Sequence, residues 1–470
     1  MFGKMMGQSL HAGRPTGRVG EDLKRCKWTS LNSHSKSSHQ PFLKQKASLR
    51  YPSRKGKAAE GLDLRLSQSD KYRLMIQQEA PTGTIRLSRT RMEHEPGHLW
   101  VYAGHVDEVR GAPTAGDVVD VVASNGKFFA RGLYNPQSKI RVRLLTFDEE
   151  PISQQFWRGR VTQAIRLRRR IVSDTNAYRL LYGEADLLPG LIVDRYDDVL
   201  VMQTLSYGMD RRKELLADLL CQDAGVGRVY LRNDAKSRGL EGLPFEKGFI
   251  RGGGATRVEV REGRARFLVD IERGQKTGWF CDQRENRLAA ARLAAGAEVL
   301  EVFCHTGAFG TQAALGGARS VEGLDVSADA LILAREHAAL NKVDDRCTYR
   351  VADAFDEMRR LERDGRRYDL VMLDPPAFAR SKQAVVRALV GYKDINLLGM
   401  RLTKPEGLMV TSSCSHHISE QDFWIAIRRA ARDAKRQVRL LEQRGQASDH
   451  PILAAMPETR YLKCFILQVL

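Results

Sequence analysis

The segment Glu301-Val302-Phe303-Cys304-His305-Thr306-Gly307-Ala308-Phe309-Gly310 runs from a strand-like stretch through a small-residue turn into a helix. Backbone N–H groups at such a helix start can approach a ligand. Asp325 stands twenty-two residues past Phe303, at the end of the next strand. An acid placed there can take both hydroxyls of a ribose. Asp353, in Val351-Ala352-Asp353-Ala354-Phe355, follows a third strand and can accept from an exocyclic adenine amine. Three strand ends thus converge on an adenosine-shaped ligand at the carboxyl edge of a sheet. The turn is not GxGxxG, and no third glycine is placed for a pyrophosphate, which weighs against NAD or FAD.

Two further segments reach the same edge. In Leu373-Asp374-Pro375-Pro376-Ala377-Phe378, two prolines after an apolar strand leave a stiff loop with few backbone donors, and Asp374 faces the expected ligand. An Asp-Pro-Pro turn in this place is what base-modifying methyltransferases use to grip a nucleobase; Pro375, Pro376 and Phe378 would then touch the base. In Thr411-Ser412-Ser413-Cys414-Ser415-His416-His417, Cys414 sits on the loop after the fifth strand. Cytosine C5 is a poor carbon nucleophile. A thiolate added to C6 makes C5 enamine-like and able to attack a methyl sulfonium. Cys281, Cys304, Cys347 and Cys464 read instead as packed small hydrophobes. His416, His417 and Cys414 find no further ligands at zinc spacing, so no metal is expected.

Alternating strands and helices must position these residues. From about Phe267 the strands 299–303, 320–324, 348–351, 369–373 and 408–412 alternate with helices such as 328–340, capped by Ser327. This pattern predicts a parallel sheet covered on both faces. Val438–Leu441 and Tyr461–Leu467 are expected to pair as an antiparallel edge. Before this unit, residues 82–150 hold short strand-like runs separated by Gly, Pro and Asn, which suggests a small β-barrel. Residues 151–265 mix an Arg-rich helix (156–171), a hairpin across Tyr196-Asp197-Asp198, a helix (210–220) and a strand (229–232). They read as a compact α+β insert, with Gly252-Gly253-Gly254 marking a loop before the 266–470 unit.

The chain of 470 residues is 42% hydrophobic and 28% charged, the balance of a globular protein, and no run is long enough to span a membrane. Seven cysteines without a CxxC pair point to a reducing compartment. Of the net charge of +19, residues 1–60 contribute +10, from 13 Lys and Arg against three acids. The remaining 63 basic and 54 acidic residues leave the body basic, which favours polyanion partners. The run Arg166, Arg168, Arg169 and Arg170 concentrates that charge, either as an RNA contact or as a solvated helix face. Residues 1–81 read as a disordered basic tail. A basic RNA-attracting arm, an organelle transit peptide and a start codon assigned too far upstream compete to explain it, and the third is preferred.

From about residue 82 to 470 the chain resembles the bacterial large-subunit ribosomal RNA cytosine-5 methyltransferases of the RlmI type. Besides the segments above, the likeness rests on Tyr178-Arg179-Leu180, Gly183-Glu184-Ala185-Asp186-Leu187-Leu188-Pro189-Gly190 and Gly274-Gln275-Lys276-Thr277-Gly278 with Asp282-Gln283-Arg284. It continues through Gly391-Tyr392-Lys393-Asp394-Ile395-Asn396, Ser413-Cys414-Ser415 and Asp449-His450-Pro451. The resemblance implies a PUA RNA-binding domain, an α+β insert and a class I Rossmann-like methyltransferase domain using S-adenosylmethionine (SAM). It implies that the loop Cys304 to Gly310, with Thr306 and Gly307, holds the amino-acid end of SAM, that Phe303 also binds the cofactor, and that Asp325 takes its ribose and Asp353 its adenine. Lys276, Thr277, Asp282 and Asp374 would line the same pocket. Asp374 would orient the cytosine and Cys414 would be the nucleophile. Many RNA cytosine-5 methyltransferases carry a second cysteine just after the Asp-Pro-Pro turn; here Ala377 stands there.

The leading reading is therefore C5 methylation of a cytosine in large-subunit (23S) ribosomal RNA. The enzymatic alternative is methylation of another base or RNA without a cysteine nucleophile. An RNA-binding protein that has lost catalysis is disfavoured by the intact Asp325, Asp374 and Cys414, and a Rossmann oxidoreductase by the missing GxGxxG. The expected partner is ribosomal RNA, naked or in a partly assembled large subunit, in the cytoplasm, with salt-sensitive binding. No membrane partner is expected, and a homodimer remains open.

Overall fold

The computed structural model describes residues 79–88, 97–379 and 381–470. Most of the expected tail, residues 1–78, lies outside the described residues. Already at Glu79 the chain is tied down: its N–H donates to the Ile152 carbonyl, and its carboxylate pairs with Arg212.

The first sheet has six strands: β1 (Gly83–Leu87), β2 (Trp100–Tyr102), β3 (Val106–Gly111), β4 (Val118–Val122), β5 (Phe128–Tyr134) and β6 (Ile140–Thr146). Their order is β2-β6-β5-β4-β1-β3. Five of them fall on the expected runs. The sixth, β3, carries Asp107, Glu108 and Arg110 on an exposed edge and gives no apolar signal. Ile85, Leu87, Val101, Val119, Val121, Val142 and Leu144 fill the interior, closed by Met456 from the far end of the chain.

Helix α1 (Gln154–Ile171) starts where the Ser153 hydroxyl accepts the Phe156 N–H. It covers a five-stranded sheet of β7 (Ala177–Tyr182), β8 (Leu191–Tyr196), β9 (Val199–Thr204), β10 (Arg228–Asn233) and β11 (Glu246–Arg251), in the order β11-β10-β9-β8-β7. The hairpin across 196–198 forms as expected, with Tyr196 opposite Val199. Helix α2 (Lys213–Ala224) packs with α1 on the same face, and its Leu216, Leu219 and Leu220 meet Trp157 and Val161 in one core. After the glycine run, β12 (Arg257–Glu262) and β13 (Ala265–Asp270) form a separate hairpin that crosses the expected boundary at 265/266.

The last sheet has seven strands: β14 (Glu298–Val302), β15 (Ser320–Asp325), β16 (Cys347–Val351), β17 (Tyr368–Leu373), β18 (Thr403–Ser413), β19 (Val438–Arg444) and β20 (Lys463–Val469). Their order is β16-β15-β14-β17-β18-β20-β19; the first five are parallel, and β20 runs antiparallel to both its neighbours, β18 and β19. The two closing strands pair as expected, but β20 is interior and only β19 is the edge. Helices α3 (Arg284–Ala291), α4 (Ala308–Leu315), α5 (Ala328–Leu340), α6 (Ala354–Arg363), α7 (Val385–Leu402) and α8 (Glu420–Asp433) connect and cover the strands. Leu300, Val302 and Leu373 pack toward α7 and α8, while Val299, Val321 and Leu370 pack toward α4 and α5. The strand order turns at β14 and β17, so their carboxyl ends open a crevice. Among the described residues no helix is long and apolar enough to cross a membrane.

Candidate active site

The crevice is a cavity of about 250 Å³. Beyond β14, Phe303, His305 and Gly307 all adopt positive φ (63°, 49° and 67°), so the chain doubles back before entering α4. Gly307 is required there, since a Cβ would stand 2.7 Å from the Tyr349 hydroxyl oxygen. Asp325, at the end of β15, braces this turn: one carboxylate oxygen accepts the His305 N–H at 2.8 Å and the other the Ser327 N–H at 2.9 Å.

Of the residues singled out from sequence, Lys276, Asp282, Phe303, Asp325, Asp374, Pro375, Pro376 and Cys414 line this one cavity. Asp282 is fully enclosed. Its Oδ2 accepts the Tyr461 hydroxyl at 2.5 Å, while Oδ1 has no hydrogen-bond partner. Burial alone would push this carboxyl up, but Lys276, His450 and the Tyr461 hydroxyl outweigh it and hold it below its ordinary value. Asp374 behaves oppositely. Burial, then the Asp282 charge, pushes it up to about 7, although Gln283 donates to its Oδ1 at 2.9 Å. Two neighbouring acids are thus split into one held ionised and one titrating near neutrality. The Cys414 sulfur lies 4.0 Å from the Pro375 carbonyl oxygen, on the opposite wall of the same loop pair. Burial and then the Asp374 charge push its thiol up to about 11, against the pull of Lys276 and Lys463.

Other singled-out residues go elsewhere. Thr277 is buried with its hydroxyl donating to Asp194 Oδ2 at 2.6 Å and 3.0 Å from the Tyr196 hydroxyl. It ties the Gly274–Gly278 turn to β8 and does not line the cavity. Thr306 offers its carbonyl to His337 Nδ1, and Gly307 serves as the turn before α4. Asp353 is exposed and caps α6, accepting the Asp356 N–H. Phe378 leans on Tyr392, with ring centroids 4.7 Å apart, and packs beside Gly391.

The cavity also holds residues not singled out, among them Gln283, Arg287, Glu301 and His305. Glu301 interrupts the apolar run Val299-Leu300-Glu301-Val302 and accepts the Gly310 N–H at 2.9 Å. Burial pushes its carboxyl up to about 8. A charged residue inside an otherwise apolar strand was the available signal.

Comparison with known proteins agrees with the fold. Residues 246–453 match the family model of S-adenosylmethionine-dependent methyltransferases, and residues 93–147 that of a PUA-like domain. A methyltransferase solved in complex with S-adenosylhomocysteine superposes with a TM-score of 0.71 at 21% identity, covering 83% of this chain and 100% of the other. A Streptococcus mutans chain described as a SAM-dependent methyltransferase gives 0.70 at 20% identity, over 82% and 99%. Fold and crevice together define a class I SAM-dependent methyltransferase joined to a PUA-like domain. The ribosomal RNA large subunit methyltransferase I of Shewanella denitrificans is 42% identical over 381 residues, 80% of this chain and 96% of the relative. That of Shewanella amazonensis is 42% identical over 79% and 95%. The chain belongs to the ribosomal RNA large subunit methyltransferase I family.

The residues present fit the cofactor. The unpartnered, buried Asp282 Oδ1 calls for a cationic N–H donor such as the SAM α-ammonium, and Asp325 stands at the strand end suited to a ribose.

Proposed function

We propose that this chain methylates C5 of a cytosine in large-subunit ribosomal RNA, with Cys414 as the nucleophile. The observation that carries the reading is that Cys414 and Asp374 share one cavity with Asp282 and Asp325. Asp282 would hold the amino-acid end of SAM, Asp325 its ribose, and the Phe303–Gly307 turn would wrap it. SAM bound there supplies an electrophilic methyl group. The ionised Cys414 sulfur forms a bond to C6 of the base, and the C5–C6 π pair moves to C5, which becomes the attacking carbon. Asp374, half-protonated near pH 7, can donate to the base N3 or, ionised, accept from its exocyclic amine. After transfer C5 gives up its proton to solvent, the C–H pair re-forms the C5–C6 double bond and the sulfur leaves C6 as thiolate. Ala377 offers no second thiol, so Cys414 acts alone.

A cytosine must leave its stack to reach this wall. The substrate is therefore naked or partly assembled large-subunit RNA in the cytoplasm, held by the PUA-like unit we place at 82–150. The 151–265 insert joins that unit to the methyltransferase unit at 266–470. The deciding experiment incubates unmethylated large-subunit transcript and methyl-labelled SAM with wild-type protein or Cys414→Ala, followed by nucleoside analysis. Label in 5-methylcytidine, absent with the variant, is expected. Label in another nucleoside, or undiminished in the variant, would overturn the covalent reading. Light scattering reads the homodimer expectation, two chains per particle supporting it and one overturning it.

A further inference from the structure

Lys463 is a buried cation to which the reaction above gives no role. It opens β20, opposite Ser413 on β18, and only 4% of its surface is exposed. Its Nζ donates to the carbonyl oxygens of Ser415 at 2.7 Å and Tyr461 at 2.8 Å. Both acceptors are neutral. An ammonium has three donors, and a buried one ordinarily meets a carboxylate, because an unpaired charge is costly to bury. Burial accordingly pulls Lys463 down to about 8, which still leaves it mostly protonated at pH 7.

What it holds is the turn that carries the thiol. Ser415 follows Cys414, and its hydroxyl accepts the Ala379 N–H at 3.2 Å and lies 2.9 Å from the Tyr392 hydroxyl. The turn is thereby clamped to the loop after Asp374-Pro375-Pro376 from one side and to Lys463 from the other. Leu462, next to Lys463, lines the cavity. The charged groups around the thiol are Asp374 and Asp282, which oppose its ionisation, and Lys276 and Lys463, which favour it. Those around Lys463 are Cys414, Arg460 and Glu420, and His416 lies near both lysines. Lys276 is exposed and screened by water; Lys463 is not.

We propose that Lys463 is the positioning residue and internal counter-cation of Cys414. It fixes the 414–415 turn through the Ser415 carbonyl and stabilises the sulfur anion from beneath. The thiol proton leaves to solvent, Lys463 keeps its own proton, and the sulfur lone pair is then available to form the bond to C6. The resting enzyme holds a cation without its anion, and ionisation of Cys414 supplies one. This rests on Cys414 as the nucleophile, but its test does not depend on methyl transfer.

The test follows iodoacetamide capture of Cys414 against pH, read on the Cys414 peptide by mass spectrometry, in wild type, Lys463→Met, Lys463→Gln and Lys463→Arg. Binding of S-adenosylhomocysteine by calorimetry reports that each variant is folded. The neutral variants are expected to raise the capture midpoint by about one pH unit, slowing capture about tenfold below it. Lys463→Arg should keep the midpoint at or below the wild-type value. An unmoved midpoint in a neutral variant that binds the cofactor product overturns the proposal. So does a raised midpoint in Lys463→Arg, which decides the matter even if neither neutral variant folds. Failure of Cys414→Ala to abolish methylation would overturn the nucleophile itself and leaves the capture profile a separate readout.

Discussion

Three acids on the cavity wall, Asp282, Asp374 and Glu301, are set by their surroundings to different charges. Glu301 is the extreme: only 3% exposed, with the Gly310 N–H as partner, its carboxyl is pushed up to about 8 by burial. Because the folded chain binds this proton more tightly than the unfolded one, the cofactor-free protein loses stability as pH rises from about 4.5 to about 8. Glu301→Gln removes the ionisation. It should be more stable than wild type by about 1–3 kcal/mol at pH 8.5 and nearly equal at pH 5, measured by urea denaturation without cofactor. A difference constant across pH would overturn this assignment of charge. Sequence alone exposes Asp325 and Asp374, because each closes a strand-like run and so must sit at a strand end, and Cys414, because it follows such a run across Thr411-Ser412-Ser413. It does not show that Asp325 lines the cavity while Asp353, with the same spacing logic, stands at the start of α6 with its Oδ1 accepting the Asp356 N–H. Nor does it show that Thr277 turns inward to Asp194, a contact made across 83 residues of chain.

At the scale of elements, the β12–β13 hairpin supports the site without lining it. Along β12 the side chains of Arg257, Glu259 and Arg261 face solvent while Val258 and Val260 are buried. Glu262 continues the buried set, against the alternation of charge. Its carboxylate receives Arg287 through two bonds of 2.7 and 2.6 Å, and Trp279 Nε1 at 3.2 Å. Arg287 stands on α3 and lines the cavity, so the hairpin holds a cavity side chain through a buried ion pair. Glu262→Ala strands that guanidinium and should cost about 3–5 kcal/mol, read by urea denaturation. A double variant with Arg287→Met should recover most of the loss, and no recovery would overturn the pairing argument. The alternation in 257–262 was available in the sequence. The glycine run before it hid the hairpin, since it reads equally well as the end of one unit or as a loop within the next.

Across the whole molecule, the two ends of the described chain are fastened together. Met456, from the segment between β19 and β20, completes the core of the first sheet, and its sulfur accepts the Leu99 N–H at 3.2 Å. Arg168 of α1 donates to the Asp449 carbonyl, while the Asp449 side chain takes the Arg179 N–H and the Arg284 guanidinium. No periodicity in the sequence could announce contacts spanning 165 to 357 residues. The same joining occurs at Glu241, whose carboxylate gathers Ser138 Oγ at 2.6 Å, Asn135 Nδ2 at 2.9 Å and Arg143 at 3.0 Å from the first sheet. Burial opposes that ionisation, but Arg143 and the two side-chain donors prevail and hold it below the ordinary carboxylate range. If the PUA-like unit grips RNA while the crevice modifies it, this anchor sets how the base is presented. Glu241→Ala leaves Arg143 with Glu184 as its one carboxylate, takes the acceptor from the Ser138 hydroxyl and leaves Asn135 only the residue-241 carbonyl. It lies apart from the cavity, so S-adenosylhomocysteine affinity should stay within about threefold of wild type. The kcat/KM on RNA should fall about tenfold or more, because small misplacements of a reacting centre are costly. Equal losses in cofactor affinity and RNA turnover would show general destabilisation, and unchanged turnover would show that the two units act without this anchor.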